Sequence, residues 1–339
     1  MKEFGSDFHY LASDDFNLEN SQSKCDAQFY ANGRQALQAL ILNNTWKRIW
    51  IPAYFCYKVV EAIKQTGILV LFYPDAPTFD DVSIISTIPF NEHDVLLRMN
   101  YFGLRTWRDN STIPISVIED HSHDFSGEWS SGSNADWCFA SLRKTIPMPE
   151  GGVLWSPKKL NHPPKMVSTV ENDLLSYKRL SSMLMKTLYL SGKSVSKQQF
   201  RQLYIETEHT FLSLEKSSIS EVCFSIYQHF NIQKWNKVKS RNWNLLSTIK
   251  TDTISILQPE NVEKCNPFSL ILKFNSTIDR ESCRQTFLEN EIYPATLWEI
   301  PQYQDKEIVH LSQTTLSLPC DARYDLDDME YLKNKILFG

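Results

Sequence analysis

The sequence predicts an α/β protein with a large domain on a mainly parallel sheet and a smaller C-terminal α/β domain. From residue 28 to about 155, apolar strand-like runs alternate with segments of helical spacing, which is typical of a parallel sheet covered by helices. Residues 166 to 250 are predicted to be helical, and strands and helices alternate again from Ile254 onwards, with a strand predicted over residues 267–274. Because 339 residues suffice for two domains, we place them at 1–230 and 231–339.

The first predicted helix begins at a glycine. The segment Asn32-Gly33-Arg34-Gln35-Ala36-Leu37 opens a run whose apolar residues have helical spacing. A glycine lets the backbone N–H groups of a helix start approach an anion, and the helix dipole favours negative charge there. An ordinary helix start would explain these residues equally well, so Gly33 and Arg34 become phosphate-binding candidates only beside further features.

An acidic residue ends a strand that the sequence predicts to be buried. Ile115-Ser116-Val117-Ile118-Glu119-Asp120 is typical of such a strand, and His121-Ser122-His123 follows it. Ligands of open α/β sheets bind at the carboxyl ends of strands, so Asp120 is a candidate site residue, although a helix N-cap would also use aspartate. A metal site on His121 and His123 is the rival interpretation, which we discount because no cysteine or third histidine lies at ligand spacing.

A lysine follows the next predicted strand. After a polar stretch predicted to be a loop (126–134), a strand-like run (135–140) leads to Arg143 and Lys144, and Glu150-Gly151-Gly152 opens another strand. Beside a second cation the pKa of a lysine falls, and its free amine can then attack a carbonyl group. Alone, the two cations would be solvated loop charges. A lysine and a carboxylate at two strand ends, however, would project into one cleft.

These features occur in the order found in a known family. The chain resembles the sugar aminotransferases of the DegT/DnrJ/EryC1/StrS group, which are pyridoxal-phosphate enzymes of the aspartate-aminotransferase fold (fold type I). This resemblance implies a mainly parallel seven-stranded sheet in the large domain and pyridoxal 5'-phosphate as the cofactor. It covers nearly the whole chain and rests on seven segments: Asn32-Gly33-Arg34-Gln35-Ala36-Leu37, Ile51-Pro52-Ala53-Tyr54-Phe55, Val70-Leu71-Phe72-Tyr73-Pro74-Asp75, Asn100-Tyr101-Phe102-Gly103, Glu119-Asp120-His121-Ser122-His123, Lys144 with Glu150-Gly151-Gly152, and Leu316-Ser317-Leu318-Pro319-Cys320 with Arg323-Tyr324.

The resemblance also implies roles by position. Lys144 would bind the cofactor covalently and move the proton during catalysis, and Asp120 would pair with the pyridine nitrogen. A pyridoxal-phosphate enzyme needs both groups, because the protonated ring acts as an electron sink. The other cofactor-binding candidates are Gly33 and Arg34 at the phosphate, His123 near the 3-oxygen, Ser141 beside the lysine, and Tyr54 and Cys56 near the pyridine ring.

Two positions depart from the family pattern. The family places a bulky side chain at the position of Cys56 to stack on the pyridine ring, so a neighbouring tyrosine would take over that contact. At Lys216-Ser217-Ser218 the chain lacks the asparagine that reaches the phosphate of the neighbouring subunit, and Lys216 or Arg143 would supply a charge instead. Residues 162–217 carry little of the family pattern, and substrate loops are expected there.

Composition narrows the classes of partner. A net charge of -5 gives no basic footprint for nucleic acid. The sequence has neither a run of eighteen apolar residues nor a signal-peptide pattern. None of its seven cysteines belongs to a C-x-x-C pair, which is typical of free thiols in a reducing compartment. We therefore expect a cytoplasmic protein with no nucleic-acid or membrane partner.

The activity expected from this combination is transamination. Glutamate, by family implication, would donate the amino group, and a nucleotide-linked keto sugar would accept it, in a homodimer that supplies an amino sugar for a surface polysaccharide. Two alternatives stay open: an enzyme of the same fold and cofactor with a non-sugar acceptor, or a non-catalytic homologue with a binding or regulatory role. A related dehydratase branch has histidine in place of the lysine, and Lys144 argues against it.

Overall fold

The computed structural model describes residues 3–5, 7–9, 13–17 and 26–338. Along the chain the helices and strands are β1 (Phe4–Gly5), β2 (Ala27–Tyr30), α1 (Gly33–Leu42), β3 (Arg48–Pro52), α2 (Tyr57–Lys64), β4 (Leu69–Tyr73), α3 (Asp81–Ser86), β5 (Asp94–Met99), β6 (Ser116–Asp120), α4 (Glu128–Gly132), β7 (Trp137–Ser141), β8 (Gly152–Trp155), α5 (Val170–Leu190), α6 (Lys197–Ser213), α7 (Glu221–His229), α8 (Ile232–Leu246), β9 (Ile254–Ile256), β10 (Leu270–Phe274), α9 (Thr277–Glu289), β11 (Ile292–Tyr293), α10 (Lys306–Gln313), β12 (Thr315–Leu318) and α11 (Leu326–Phe338).

A seven-stranded sheet forms the centre of the large domain. Its strand order is β2-β8-β7-β6-β5-β3-β4. The five strands β7, β6, β5, β3 and β4 run parallel to one another, whereas β8 is antiparallel to both its neighbours, β7 and β2. All six residues of β5 are buried, as expected for a strand near the middle of a sheet that helices cover. The predicted mainly parallel seven-stranded sheet flanked by helices is confirmed.

The strands β6 and β7 end side by side. They are parallel neighbours, and Asp120 at the end of β6 pairs in register with Phe139 of β7. The chain leaves β7 at Ser141 and continues into a short 3₁₀ turn over Leu142–Lys144. Asp120 and Lys144 therefore lie at the same edge of the sheet, the carboxyl edge of its parallel strands.

The start of α1 lies against the same edge. Asn32 caps the helix, because its side chain accepts a hydrogen bond from the N–H of Gln35 at 3.1 Å. A Cβ atom on Gly33 would lie 3.2 Å from the backbone nitrogen of Ser141, and one on Gly152 would lie 2.2 Å from the carbonyl carbon of Asn32. Glycine at both positions thus lets the helix start press directly on the ends of β7 and β8.

A second apolar core lies in the C-terminal part of the chain. A three-stranded antiparallel sheet, β12-β10-β9, contributes Leu270, Leu272 and Leu316 to it, and the parallel pair β1 and β11 adds Phe4 and Ile292. The helix α8 reaches both apolar regions, because Trp235 packs under β6 and β7 and Trp243 packs in the C-terminal core. It begins at Ile232, next to the expected domain boundary. The division into 1–230 and 231–339 itself stays a prediction.

Three segments differ from the expectation from sequence. Residues 126–134, predicted to be a loop, contain the short helix α4, because Trp129 packs into the interior at 1% exposure and the N–H of Ser131 bonds to the carbonyl of Gly127. The strand expected from Pro267 begins only at Leu270. The helical region begins at Val170 and is interrupted between α6 and α7. None of the helices in the described part of the chain combines the length and apolar character needed to cross a membrane.

Candidate active site

The carboxyl edge of the sheet opens onto a cavity of about 200 Å³. Its wall combines the turn after β7, the helices α5, α6 and α8, and residues around β10 and β12. Cations outnumber anions among its described charged residues, which are Arg143, Lys144, Arg179, Lys239 and Arg323 against Asp7 and Asp321. A cleft with this excess of positive charge favours an anionic ligand.

Lys144 reaches into this cavity without a partner. Its side chain is exposed there, and no described residue forms a hydrogen bond or ion pair with it. The cavity walls displace part of the water around the amine, and this effect, followed by the nearby charge of Arg143, lowers the pKa of Lys144, in the direction that the sequence predicts. The amine is therefore available as a nucleophile or base to a greater extent than a solvated lysine.

Asp120 is buried beside the lysine turn. It is 4% exposed, and its Oδ1 atom accepts a hydrogen bond from the N–H of Ser122 at 2.8 Å. Burial raises the pKa of Asp120, against the opposing effects of Ser122, His121 and Lys144. Ser122 also accepts a hydrogen bond from the N–H of Ser141 at 2.9 Å. One serine thus joins the turn after β6 to the turn that carries Lys144.

His123 is held in a stack of aromatic rings. The ring centroid lies 4.4 Å from that of Phe268, 5.4 Å from that of Trp298 and 5.5 Å from that of Phe102, with all three rings nearly parallel to it. The N–H of Phe102 donates to Nδ1 at 3.3 Å, and burial together with Lys144 lowers the pKa of His123 to about 3. The imidazole is therefore neutral, with its proton on Nε2.

His121 points into a different environment from His123. Its Nε2 atom lies 3.0 Å from Oε2 of Glu119, and ligand-type atoms of Glu119, His121 and Cys138 lie within 4.8 Å of one another in the interior. The oxygens of Glu119 also accept hydrogen bonds from Asn110 and Ser133. The structure thus groups His121 with Glu119 and Cys138 rather than with His123, and it brings in a cysteine that spacing along the sequence does not indicate.

The predicted phosphate-binding residues lie at the start of α1. Gly33 contacts Ser141, as described above, while the guanidinium of Arg34 donates to the carbonyl of Phe211 at 3.3 Å. Burial and the charge of Arg143 lower the pKa of Arg34. The Arg34 side chain is thus directed towards the end of α6, which leaves the backbone of the first helical turn as the anion-binding element.

Tyr54 and Cys56 occupy different places. Tyr54 is fully buried, its hydroxyl donates to the carbonyl of Leu297 at 2.5 Å, and its ring packs against Trp298, so it does not line the cavity. Cys56 is half-buried just before α2 and interacts electrostatically with Lys144 and Arg34. Cys56, and not Tyr54, therefore lies near Lys144.

Sequence reasoning missed the contribution of the α5–α6 hairpin. Glu208 of α6 accepts two hydrogen bonds from Arg143, at 2.9 and 2.8 Å, and one from Arg179 of α5 at 3.0 Å. Arg143 is therefore engaged by a carboxylate, and Lys216, the other charge considered for the phosphate, is exposed. A signal for Arg179 was present, since it has helical spacing from the buried Leu175 and Met183.

Comparison with known proteins gives the fold. No protein-family model and no curated protein matches the sequence. Among solved structures, the chain is similar to Helicobacter pylori PseC, an aminotransferase involved in the biosynthesis of pseudoaminic acid, with a TM-score of 0.65 and 13% identity over 99% of this chain and 98% of that one. The chain has an aminotransferase fold.

Two further structures agree. NtdA from Bacillus subtilis, solved with bound cofactor PMP, has a TM-score of 0.60 and 13% identity over 91% of this chain and 72% of its own. The sugar aminotransferase CalS13 from Micromonospora echinospora has a TM-score of 0.58 and 12% identity over 92% of this chain and 87% of its own. The fold of this chain is thus shared with PseC, NtdA and the sugar aminotransferase CalS13, at low sequence identity.

Proposed function

We propose that this protein is a pyridoxal-phosphate-dependent aminotransferase that acts on a sugar. One observation carries the proposal: Asp120 and the unpartnered Lys144 lie at the carboxyl ends of two adjacent parallel strands. The start of α1 is pressed against the second of these strand ends. Ligands of open α/β sheets bind at this edge, and the fold is that of aminotransferases.

The residues at this edge fit the cofactor. Pyridoxal phosphate, when bound, supplies an electron sink through its protonated pyridine ring. Asp120 provides the buried carboxylate that such a ring nitrogen requires, and the first turn of α1 at Gly33 and Arg34, with Ser141 beside it, provides the anion-binding element for phosphate. Lys144 provides the free amine for covalent attachment, and the neutral His123 supports the ring side of the site. Cys56 lies close enough to complete the surroundings of the lysine.

Lys144 has a second role as the base of the reaction. Its Nζ atom, which no described side chain holds, takes a proton from the substrate carbon and returns one. A lowered pKa helps this exchange, because a base acts best when its pKa lies near the working pH.

The excess of positive charge in the cavity supports two anionic substrates, glutamate and a nucleotide-linked keto sugar. Glutamate as amino donor brings carboxylates, and a keto sugar linked to a nucleotide brings phosphates, so that both would be attracted to the lining cations. In this proposal the product is an amino sugar for a surface polysaccharide. The six cysteines that the structure describes are free thiols, which supports action in the cytoplasm.

A homodimer is part of the proposal. Five apolar side chains on α5 are exposed at 41 to 69%, and their spacing places them on one side of the helix: Val170, Leu174, Tyr177, Leu184 and Leu188. Single exposed apolar residues are ordinary, but five of them along one side of a helix, interrupted only by Ser181, favour an interface. A second copy of the chain would cover this row.

A smaller, non-sugar acceptor is the second candidate. The α5–α6 hairpin contributes Arg179, Tyr204 and Met183 to the wall, and the cavity measures about 200 Å³. Sites for drug-sized ligands enclose roughly 300 to 1,000 Å³. With the cofactor occupying part of this space, a small keto acid needs less movement of the hairpin than a nucleotide sugar, which would extend beyond the cavity.

Absorbance spectroscopy tests the function. The purified protein is mixed with pyridoxal phosphate, and its visible spectrum is recorded before and after addition of L-glutamate. We expect a visible band that bleaches with glutamate, is lost in Lys144→Ala and is unchanged in Lys193→Ala, which replaces an exposed lysine. The absence of a band, or a band that persists in Lys144→Ala, would contradict the proposal and favour the non-catalytic homologue.

A further inference from the structure

A second lysine lines the cavity, and the proposed reaction does not use it. Lys239 of α8 is 5% exposed and forms part of the cavity wall. No described residue makes a hydrogen bond or an ion pair with its amine. A buried lysine without a partner is rare in proteins, because loss of hydration disfavours its charge.

The position of Lys239 on α8 brings its amine to the cavity. Trp235, one turn earlier, belongs to the apolar core under β6 and β7, and Trp243, one turn later, belongs to the C-terminal core. Lys239 shares their helix face at four-residue spacing. It therefore lies where the two cores meet, on the wall that the C-terminal residues around β12 also form.

The carboxylates nearest Lys239 are already hydrogen-bonded to other residues. Asp321 accepts two hydrogen bonds from Arg323, at 2.8 and 2.7 Å, and Asp124 accepts one from Asn100 at 2.9 Å. These two carboxylates act on Lys239 only through the electrostatic field, and burial dominates in lowering the pKa of Lys239.

The remaining cations of the wall are also accounted for. Arg143 and Arg179 share Glu208. Among the described lining residues, Lys144 and Lys239 are left as the cations that no carboxylate contacts, and the proposed function assigns Lys144 to the covalent chemistry.

We propose that Lys239 binds a carboxylate of the amino-acid donor and so selects the donor. This inference rests on the proposed function. With the cofactor occupying part of the volume of about 200 Å³, the space that remains suits an amino acid better than a nucleotide, whose size corresponds to the larger class of sites. An enclosed ammonium also discriminates strongly, because an uncharged ligand would leave it buried and unpaired.

Calorimetric titration of the protein with glutarate tests the role of Lys239. Glutarate has the carboxylates of glutamate without the amine, so its binding does not require turnover. We expect Lys239→Met to weaken glutarate binding about 10- to 100-fold, as for the loss of a hydrogen bond to a charged group, and Lys239→Arg to retain most of it. Lys237→Met, on the exposed face of the same helix, is the matched control and should bind like the parent protein.

Titration with uridine diphosphate separates the two sources of an anion. The inference requires that Lys239→Met bind this nucleotide as the parent protein does. If Lys239→Met weakens nucleotide binding and leaves glutarate binding intact, the lysine serves the acceptor, and the inference is wrong. It is also wrong if the parent protein binds no glutarate, or if Lys239→Met and Lys237→Met behave alike.

The visible spectrum recorded on the same samples distinguishes a failure of the donor assignment from a failure of the proposed function. A Lys144-dependent band together with glutarate binding that is indifferent to Lys239 would reject the donor assignment alone. If Lys239→Met loses glutarate binding but the parent protein shows no Lys144-dependent band, Lys239 is confirmed as an anion-binding residue and the proposed function is rejected.

Discussion

At the scale of single residues, Asp120 allows the cofactor role to be separated from packing. Asp120→Asn keeps the shape of the side chain and its acceptor for the N–H of Ser122, but removes the charge. We expect turnover to fall about 100-fold or more, in the range observed when a positioned charged or hydrogen-bonding group is lost from an active site. Pyridoxal phosphate should also bind less tightly.

Thermal unfolding without cofactor provides the control for Asp120→Asn. Because burial raises the pKa of Asp120, its charge is not favourable to folding, and the variant should unfold at the same temperature or a higher one. A variant with wild-type turnover, or one that fails to fold, would contradict the assignment of Asp120 to the cofactor.

Gly152 tests the close approach of α1 to the sheet. A Cβ atom there would lie 2.2 Å from backbone carbon and 2.5 Å from the nitrogen of Gly33, so Gly152→Ala must displace the helix start. We expect the free energy of unfolding to fall by about 1–3 kcal/mol and the affinity for pyridoxal phosphate to fall with it. Gly132→Ala, whose Cβ would have its nearest contact at 3.8 Å, should change neither quantity in denaturant unfolding and cofactor titration.

At the scale of elements, Glu150 connects the sheet to α7. This residue is fully buried, and its Oε1 atom accepts hydrogen bonds from the N–H and hydroxyl of Ser220, both at 2.8 Å. Burial raises the pKa of Glu150 to about 7, from an ordinary value of 4.5. The connection between β8 and the start of α7 therefore contains a carboxyl group that is protonated below neutral pH.

This carboxyl group makes stability depend on pH. Between the two pKa values the folded state keeps a proton that the unfolded chain has lost, so the free energy of unfolding falls as the pH rises from about 4.5 to 7. The contribution lost is about 3 kcal/mol. In denaturant unfolding from pH 4.5 to 8, Glu150→Gln should lose this dependence, whereas the exposed Glu215→Gln should keep it. Parallel curves for the parent and Glu150→Gln would refute the role of Glu150.

The strand ends could be predicted from sequence, but the helical hairpin could not. The positions of Asp120 and Lys144 follow from strand order, because parallel neighbours end at one edge whatever their side chains. The pairing of Glu208 with Arg143 joins residues 65 positions apart and depends on how two helices pack, which local patterns do not specify. For the same reason the sequence pattern wrongly predicts that Phe268 lies in a strand. In the structure its N–H donates to the carbonyl of Phe102 and its ring stacks on His123.

At the scale of the whole molecule, the two cores explain where the site lies. The apolar residues under β6 and β7 and most of those around β9, β10 and β12 form separate clusters, and the cavity opens where elements of both meet. Ligand sites often lie between such units. In the proposed function the sheet would supply Asp120 and Lys144 and α8 would supply Lys239, so binding and chemistry would come from different parts of the chain.

The exposed row on α5 predicts the assembly state. A two-fold dimer uses the same surface on both subunits, and the row of Val170, Leu174, Tyr177, Leu184 and Leu188 has the spacing that lets two helices pack along one side. We expect sedimentation to give twice the mass of one chain. The double variant Leu174→Asp and Tyr177→Asp should be monomeric, because each new charge would be buried unpaired in the interface.

The exposed Val262 provides the control for this last prediction. Val262 is 58% exposed and lies outside the helices, so Val262→Asp adds a charge of the same kind away from the row and should leave the dimer intact. If the double variant on α5 still sediments at twice the mass of one chain, the dimer forms through another surface. If the parent chain sediments as a monomer, each cavity functions with residues of one chain alone, and Lys144, Asp120 and Lys239 must complete the site within a single subunit.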